Sequence, residues 1–166
     1  MKKIFLTSAG IIFAAMTVCP SDCSAQESSK DKEQVERTAP LFGLGEYSDQ
    51  FTGEAWTRQL SSVSDFDCRV YNVTFAPGTR NNWHSHQVGQ ILLCTDGIGY
   101  YQEKGKPARR LEPGSVVDIP AGTVHWHGAS PDSRFTHVGI SPKVTQNGYS
   151  EFGPVTDDEY KEATKE

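Results

Sequence analysis

Cysteine is scarce. The 166-residue chain has four, and two of these, Cys19 and Cys23, fall within the first 25 residues. That leaves Cys68 and Cys94, a single pair at most. One pair cannot define a disulfide scaffold, so the fold must rest on a buried core. Whether the two thiols pair or stay apart as buried apolar groups is open at this stage.

Positive charge is also in deficit: 16 Lys and Arg stand against 21 Asp and Glu, a net charge of −5. Without a basic patch, the composition argues against nucleic-acid partners and against anionic membrane surfaces. No long apolar run is present either. The run from Ile4 to Val18 falls short of the roughly 20 residues of a spanning helix. It follows a basic start, Met1-Lys2-Lys3, and precedes the small residues Cys23-Ser24-Ala25. Residues 1–25 therefore read as a secretory signal peptide cleaved after Ala25. An uncleaved anchor and a lipid-modified Cys19 or Cys23 are the alternatives. Cleavage would leave 14 basic and 20 acidic residues, a net charge of −6. The expected location is secreted or periplasmic, with no stable membrane insertion. Finally, there is no long amphipathic helix and no repeat of fixed period.

Residues 26–40 are rich in Glu, Lys, Ser, Asp and Gln and have almost nothing to bury. They read as a disordered linker, with one folded domain over 41–166. Within that domain the chain alternates short β-type segments with glycine and proline. Strands are expected at Ala55–Leu60, Arg69–Phe75, Gln90–Thr95, Ile98–Glu103, Ala108–Leu111, Ser115–Ile119, Val124–Ala129 and Phe135–Ser141. Asp96-Gly97 is a strong turn signal between two of them. Many short strands with even spacing predict a closed or sandwiched antiparallel sheet. Thr156-Asp-Asp-Glu159 has the form of a capping box and predicts one short C-terminal helix.

The chemistry concentrates in two segments. The first is Gly78-Thr-Arg-Asn-Asn-Trp-His84-Ser-His86-Gln-Val-Gly-Gln90, continuing to Gly97. Alternation in a strand puts His84 and His86 on one face, with the Gln90 amide oxygen close behind. The second is Gly114-Ser-Val-Val-Asp-Ile-Pro120-Ala-Gly122-Thr-Val-His125-Trp-His127. Here a Pro-Gly turn fixes the entry of His125. A lone histidine in a strand is usually a hydrogen-bonded structural residue. A His-x-His pair joined by a third histidine instead points to a metal, with His84, His86, Gln90 and His125 as ligands; the alternative for Gln90 is a strand residue that only hydrogen-bonds a ligand's ring. Imidazole suits zinc, copper, iron, nickel and manganese, and hard oxygen donors shift the choice towards manganese or iron.

These two segments resemble the paired motifs of the cupin superfamily. Gln90 occupies the place of the usual glutamate, and Ala129 stands where many cupins have asparagine. The resemblance implies an all-β cupin barrel (a double-stranded β-helix, or jelly roll) with the metal inside. A narrower similarity, carried by Phe75-Ala-Pro-Gly78, Trp83-His-Ser-His86, His125-Trp-His-Gly-Ala129 and Thr136-His137, is to small bacterial cupins that include the manganese-dependent hydroxynitrile lyases. It implies a lyase acting on a small oxygen-bearing molecule, with His137 as an acid/base group near the substrate. A metal-dependent dioxygenase and a non-catalytic metal or small-ligand binder are the alternatives.

Three neutral imidazoles and a neutral amide would leave a divalent ion its full charge, which suits Lewis-acid chemistry. His127 shares the phase of His125 and reads as a supporting residue. Trp126 and Trp83 read as packing. Arg80 reads as an exposed loop arginine, with an anionic substrate as its other possible role. Tyr71 replaces a small residue of the lyases and would narrow the pocket. A homodimer is the expected assembly.

Overall fold

A computed structural model describes residues 40–61 and 65–165. The signal-peptide reading and nearly all of the linker reading lie outside the described residues. Among those residues, no helix is long and apolar enough to cross a membrane.

The architecture is two antiparallel sheets and one short helix. The strands are β1 (Glu46–Ser48), β2 (Ala55–Gln59), β3 (Cys68–Phe75), β4 (His84–His86), β5 (Gln90–Gly97), β6 (Gly99–Glu103), β7 (Arg109–Leu111), β8 (Val116–Ile119), β9 (His125–Ala129), β10 (Phe135–Pro142) and β11 (Tyr149–Glu151). The helix α1 spans Asp157–Ala163. One sheet has the order β1-β2-β3-β10-β5-β8 and the other β11-β4-β9-β6-β7. The expected all-β barrel with a C-terminal helix is therefore the fold observed.

Period-two patterning builds the interior. Val73 and Phe75 of β3, Leu92 and Cys94 of β5, and Val117 and Ile119 of β8 alternate inward from the larger sheet. Tyr101, Leu111 and Ala129 meet them from the smaller one. Each of these side chains, buried at 6% exposure or less, adds about 1.5–3 kcal/mol if large and apolar. The outer face of the smaller sheet is apolar too, and α1 covers it. Trp83, Tyr100 and Trp126 pack there against Val155 and Tyr160. Both tryptophans are thus packing residues, outside the barrel rather than within it.

Thr156 caps α1 as expected. Its hydroxyl accepts from the Glu159 N–H, and the Glu159 carboxylate accepts from the Thr156 N–H. Reciprocal pairing satisfies two donors that the first turn cannot satisfy itself. Arg80 corrects the sequence reading. It is 5% exposed, donates to the Val155 carbonyl at 3.0 and 3.2 Å, pairs with Asp157 at 2.7 Å and stacks 4.5 Å from the Tyr160 ring centroid. It is a buried tie for the helix, neither exposed nor directed at substrate. Residue-type frequencies could not show this, because the partners lie about 75 positions away.

Asp96-Gly97 also departs from expectation. β5 runs through Gly97, and the chain then crosses to the other sheet over Ile98 alone. The glycine serves close approach rather than a hairpin. Its φ is +71°, and a Cβ there would lie 1.7 Å from the Arg134 carbonyl oxygen. Gly97→Ala is expected to destabilise the fold by more than about 2 kcal/mol, combining strain with a backbone clash. A urea midpoint unchanged from that of the parent would refute this.

The strands β1 and β11 were not foreseen. Both are three-residue strands at sheet edges and largely exposed, so they lack the apolar alternation that announces a buried strand. Cys68 and Cys94 are both free thiols.

Candidate metal centre

The strand pairing dictates the meeting of the histidines. His84 and His125 are direct partners across β4 and β9, which brings their ring centroids to 4.2 Å. His86, two residues along the same face, lies 5.1 Å from His84 and 5.7 Å from His125. Gln90 opens β5 in the facing sheet, and its side chain lies near His86. The open pocket beside this group has a volume of about 940 Å³, and His86, Gln90, His127, Tyr71 and Tyr149 are among the residues lining it.

Ring orientation follows from the backbone. His84 Nδ1 meets the Asn82 carbonyl at 2.9 Å, and His125 Nδ1 meets the Thr123 carbonyl at 2.9 Å. A ring that donates from Nδ1 has its lone pair on Nε2. In each case Nε2 is left with the lone pair that a metal could accept. His86 Nε2, His125 Nε2 and Gln90 Oε1 are buried and have no hydrogen-bond partner within the protein. Unpaired buried polar atoms are costly and uncommon, and several converging on one point are what a cation would satisfy.

His137 is brought to the same interior by β10 but sits one ring deeper. It is fully buried, and it does not line the cavity. Its ring lies parallel to those of Phe75 and Phe135, at 5.8 and 5.6 Å, and edge-to-face against His127 at 4.7 Å. All five histidines of the chain therefore occupy one connected group.

Comparison with known proteins agrees with this fold. The cupin domain profile matches residues 71–138. The (R)-mandelonitrile lyase of Granulicella tundricola is 39% identical over 90 residues, which are 54% of this chain and 69% of that protein. The chain belongs to the cupin superfamily. Among solved structures, a cupin-like protein from Thermotoga maritima is 47% identical with a TM-score of 0.73, covering 75% of this chain and 96% of that one. A cupin-2 domain from Rhodospirillum rubrum, 18% identical with a TM-score of 0.55 over 69% of this chain and 73% of its own, shares the fold.

Two histidine sets can be drawn in this cupin. His84, His125 and His127 bring ligand atoms within 4.8 Å of one another, and such a three-histidine site can hold a divalent cation. His127, however, is already engaged. Asn81 Nδ2 lies 3.1 Å from its Nε2, and Asn81 Oδ1 accepts from its backbone N–H at 2.9 Å. His86 Nε2 and Gln90 Oε1 carry no such partners. The unpartnered buried atoms thus lie on His86, Gln90 and His125, with His127 adjoining them.

Burial keeps these imidazoles neutral. Desolvation first, then the neighbouring His125, lowers the His84 pKa to about 3. Desolvation likewise takes His125 to about 4 and His137 to about 3, and it lowers His86 and His127 as well. Neutral rings present lone pairs to a metal without first releasing a proton.

Asn81, Tyr149 and the contact between Tyr71 and Gln90 were not anticipated as parts of the site. Tyr149 arrives on the unforeseen β11, where it pairs with His86, and its ring covers His84 at 5.3 Å. Tyr71, which the sequence marked as a bulky residue that would narrow the pocket, does line it.

Proposed function

We propose that this cupin is a metal-dependent lyase that cleaves a small hydroxynitrile, with manganese held by His84, His86, Gln90 and His125. The observation that carries the reading is a donor set of three imidazoles and an amide, with His86 Nε2, His125 Nε2 and Gln90 Oε1 buried without partners and no carboxylate among them. The (R)-mandelonitrile lyase relative supports the same reaction class. A divalent ion bound by these neutral donors would keep its full charge and act as a Lewis acid on a substrate oxygen.

The protein's own groups supply the rest. His127 lines the cavity, and His137 contacts it from behind. In cyanohydrin cleavage the substrate hydroxyl gives its proton to this imidazole pair. The bond from carbon to cyanide breaks, its electron pair leaves with the cyanide, and the carbonyl forms. The imidazolium then returns the proton to cyanide as hydrogen cyanide. A ring whose pKa has fallen to about 3 is a weak base at rest. It holds a proton only while the departing anion is beside it, which favours rapid return. The apolar bed of Phe75 and Phe135 maintains that condition by excluding water. The leader-like residues 1–25 support export, so the substrate would be met outside the cytoplasm.

Protein loaded with manganese is expected to release cyanide from mandelonitrile or an aliphatic cyanohydrin at the same rate with and without oxygen. Turnover that requires oxygen would reject the lyase reading in favour of an oxygenase. Absence of turnover on both substrates would leave a binding protein. His137→Ala should retain the metal and lower turnover by about a hundredfold, the scale of a lost proton-transfer group. Unchanged turnover would remove His137 from the mechanism.

A further inference from the structure

Tyr71 and Gln90 come from neighbouring parts of the larger sheet, and their side chains meet inside the barrel. The Gln90 Nε2–H donates to the Tyr71 hydroxyl oxygen, while the Gln90 Oε1 is buried with no partner in the protein. The space for the Tyr71 ring is made by Gly139, its direct partner on β10. A Cβ at Gly139 would lie 2.6 Å from the Tyr71 ring atoms. The tyrosine is thus seated by the sheet itself, with its hydroxyl against the amide.

An amide can present either its oxygen or its NH2 to a given point, and only the oxygen can ligate a cation. Buried amide hydrogens left without an acceptor are costly. With a cation at the histidines, one orientation pairs both ends of Gln90: oxygen to the cation, N–H to Tyr71. The reverse orientation sets N–H against the cation. From this we infer that Tyr71 is a positioning residue for the metal, fixing the Gln90 amide so that Oε1 faces the histidines.

The inference rests on the donor set proposed above but not on the lyase chemistry. Its test is the affinity for Mn2+, measured by calorimetry and by the Mn2+ paramagnetic resonance spectrum, in the full chain. Tyr71→Phe keeps the ring and removes the hydroxyl. It is expected to weaken Mn2+ binding by about 10- to 100-fold, as loss of an orienting partner does, and to change the zero-field splitting of the bound ion. The metal-free protein should keep its folded circular-dichroism spectrum, with a modest fall in melting temperature from the unpaired amide. Gln90→Glu supplies two interchangeable oxygens and has no amide to orient. On that background, Tyr71→Phe should therefore cost less than about threefold in affinity.

Equal affinity for the parent and Tyr71→Phe would overturn the role of Tyr71. So would an equal loss on both backgrounds, which would mean a general packing effect. A parent protein that takes up no Mn2+ would instead overturn the donor set itself, and the role of Tyr71 with it.

Discussion

His84→Ala and His125→Ala are each expected to abolish stoichiometric binding of a divalent metal and to lower lyase turnover by about a thousandfold or more. The two rings are partners across β4 and β9, and each is held through Nδ1 by a carbonyl two residues earlier in the chain. Lewis-acid stabilisation of a developing charge is worth several kcal/mol, and about 4 kcal/mol corresponds to a thousandfold in rate. A second readout is thermal. A metal at 100 times its dissociation constant stabilises the folded state by about 2.7 kcal/mol, on the order of 10 °C for a domain of this size. The parent should show that rise on addition of Mn2+, and both variants should lose it. Full metal occupancy in either variant, by elemental analysis, would reject the donor set. His127→Ala separates the two possible sets: it should retain the metal if His86 and Gln90 are donors, and lose it if His127 is.

The sequence made the barrel and the approach of the histidines legible because both depend on strand periodicity. Two residues along a strand is a fixed geometric statement, so His84 and His86 could be placed on one face before their neighbours were known. The Pro-Gly turn before His125 supplied its entry. The depth of His137 was not legible. Alternation aims a side chain inward, but it does not say that Phe75 and Phe135 will flank the ring or that His127 will stand in front of it. Arg80 was misjudged for a similar reason: its burial is created by Val155, Asp157 and Tyr160, which come from the far end of the chain. Gly97 shows a different limit. The dipeptide Asp96-Gly97 announces a backbone with positive φ, and the structure has one. The dipeptide does not distinguish a hairpin from a crossing between sheets.

Acid is expected to unfold the metal-free protein through its histidines, well before its carboxylates titrate. His84, His125 and His137 have pKa values lowered to about 3, 4 and 3, while the unfolded chain titrates near 6.5. The folded state thus binds fewer protons than the unfolded state below that value. Stability is fully present above pH 6.5 and falls as the pH drops towards the folded values. At pH 5 each of the three costs about 2 kcal/mol, because a full unit of difference is worth about 1.4 kcal/mol. Together they approach the total stability of a small domain, about 5–15 kcal/mol. His86 and His127 shift in the same direction and add to the loss. The measurement is the urea midpoint of metal-free protein between pH 7.5 and pH 4.5, which should fall steeply below pH 6.5; a flat profile from pH 7 to pH 5 would contradict it. His137→Phe isolates one contribution, since its ring lies parallel to Phe75 and Phe135 and an apolar ring there takes up no proton. The variant should recover about 2 kcal/mol of the loss at pH 5 relative to the parent. Bound metal should move the whole transition to lower pH, because protons must then displace the cation before they reach His84 and His125.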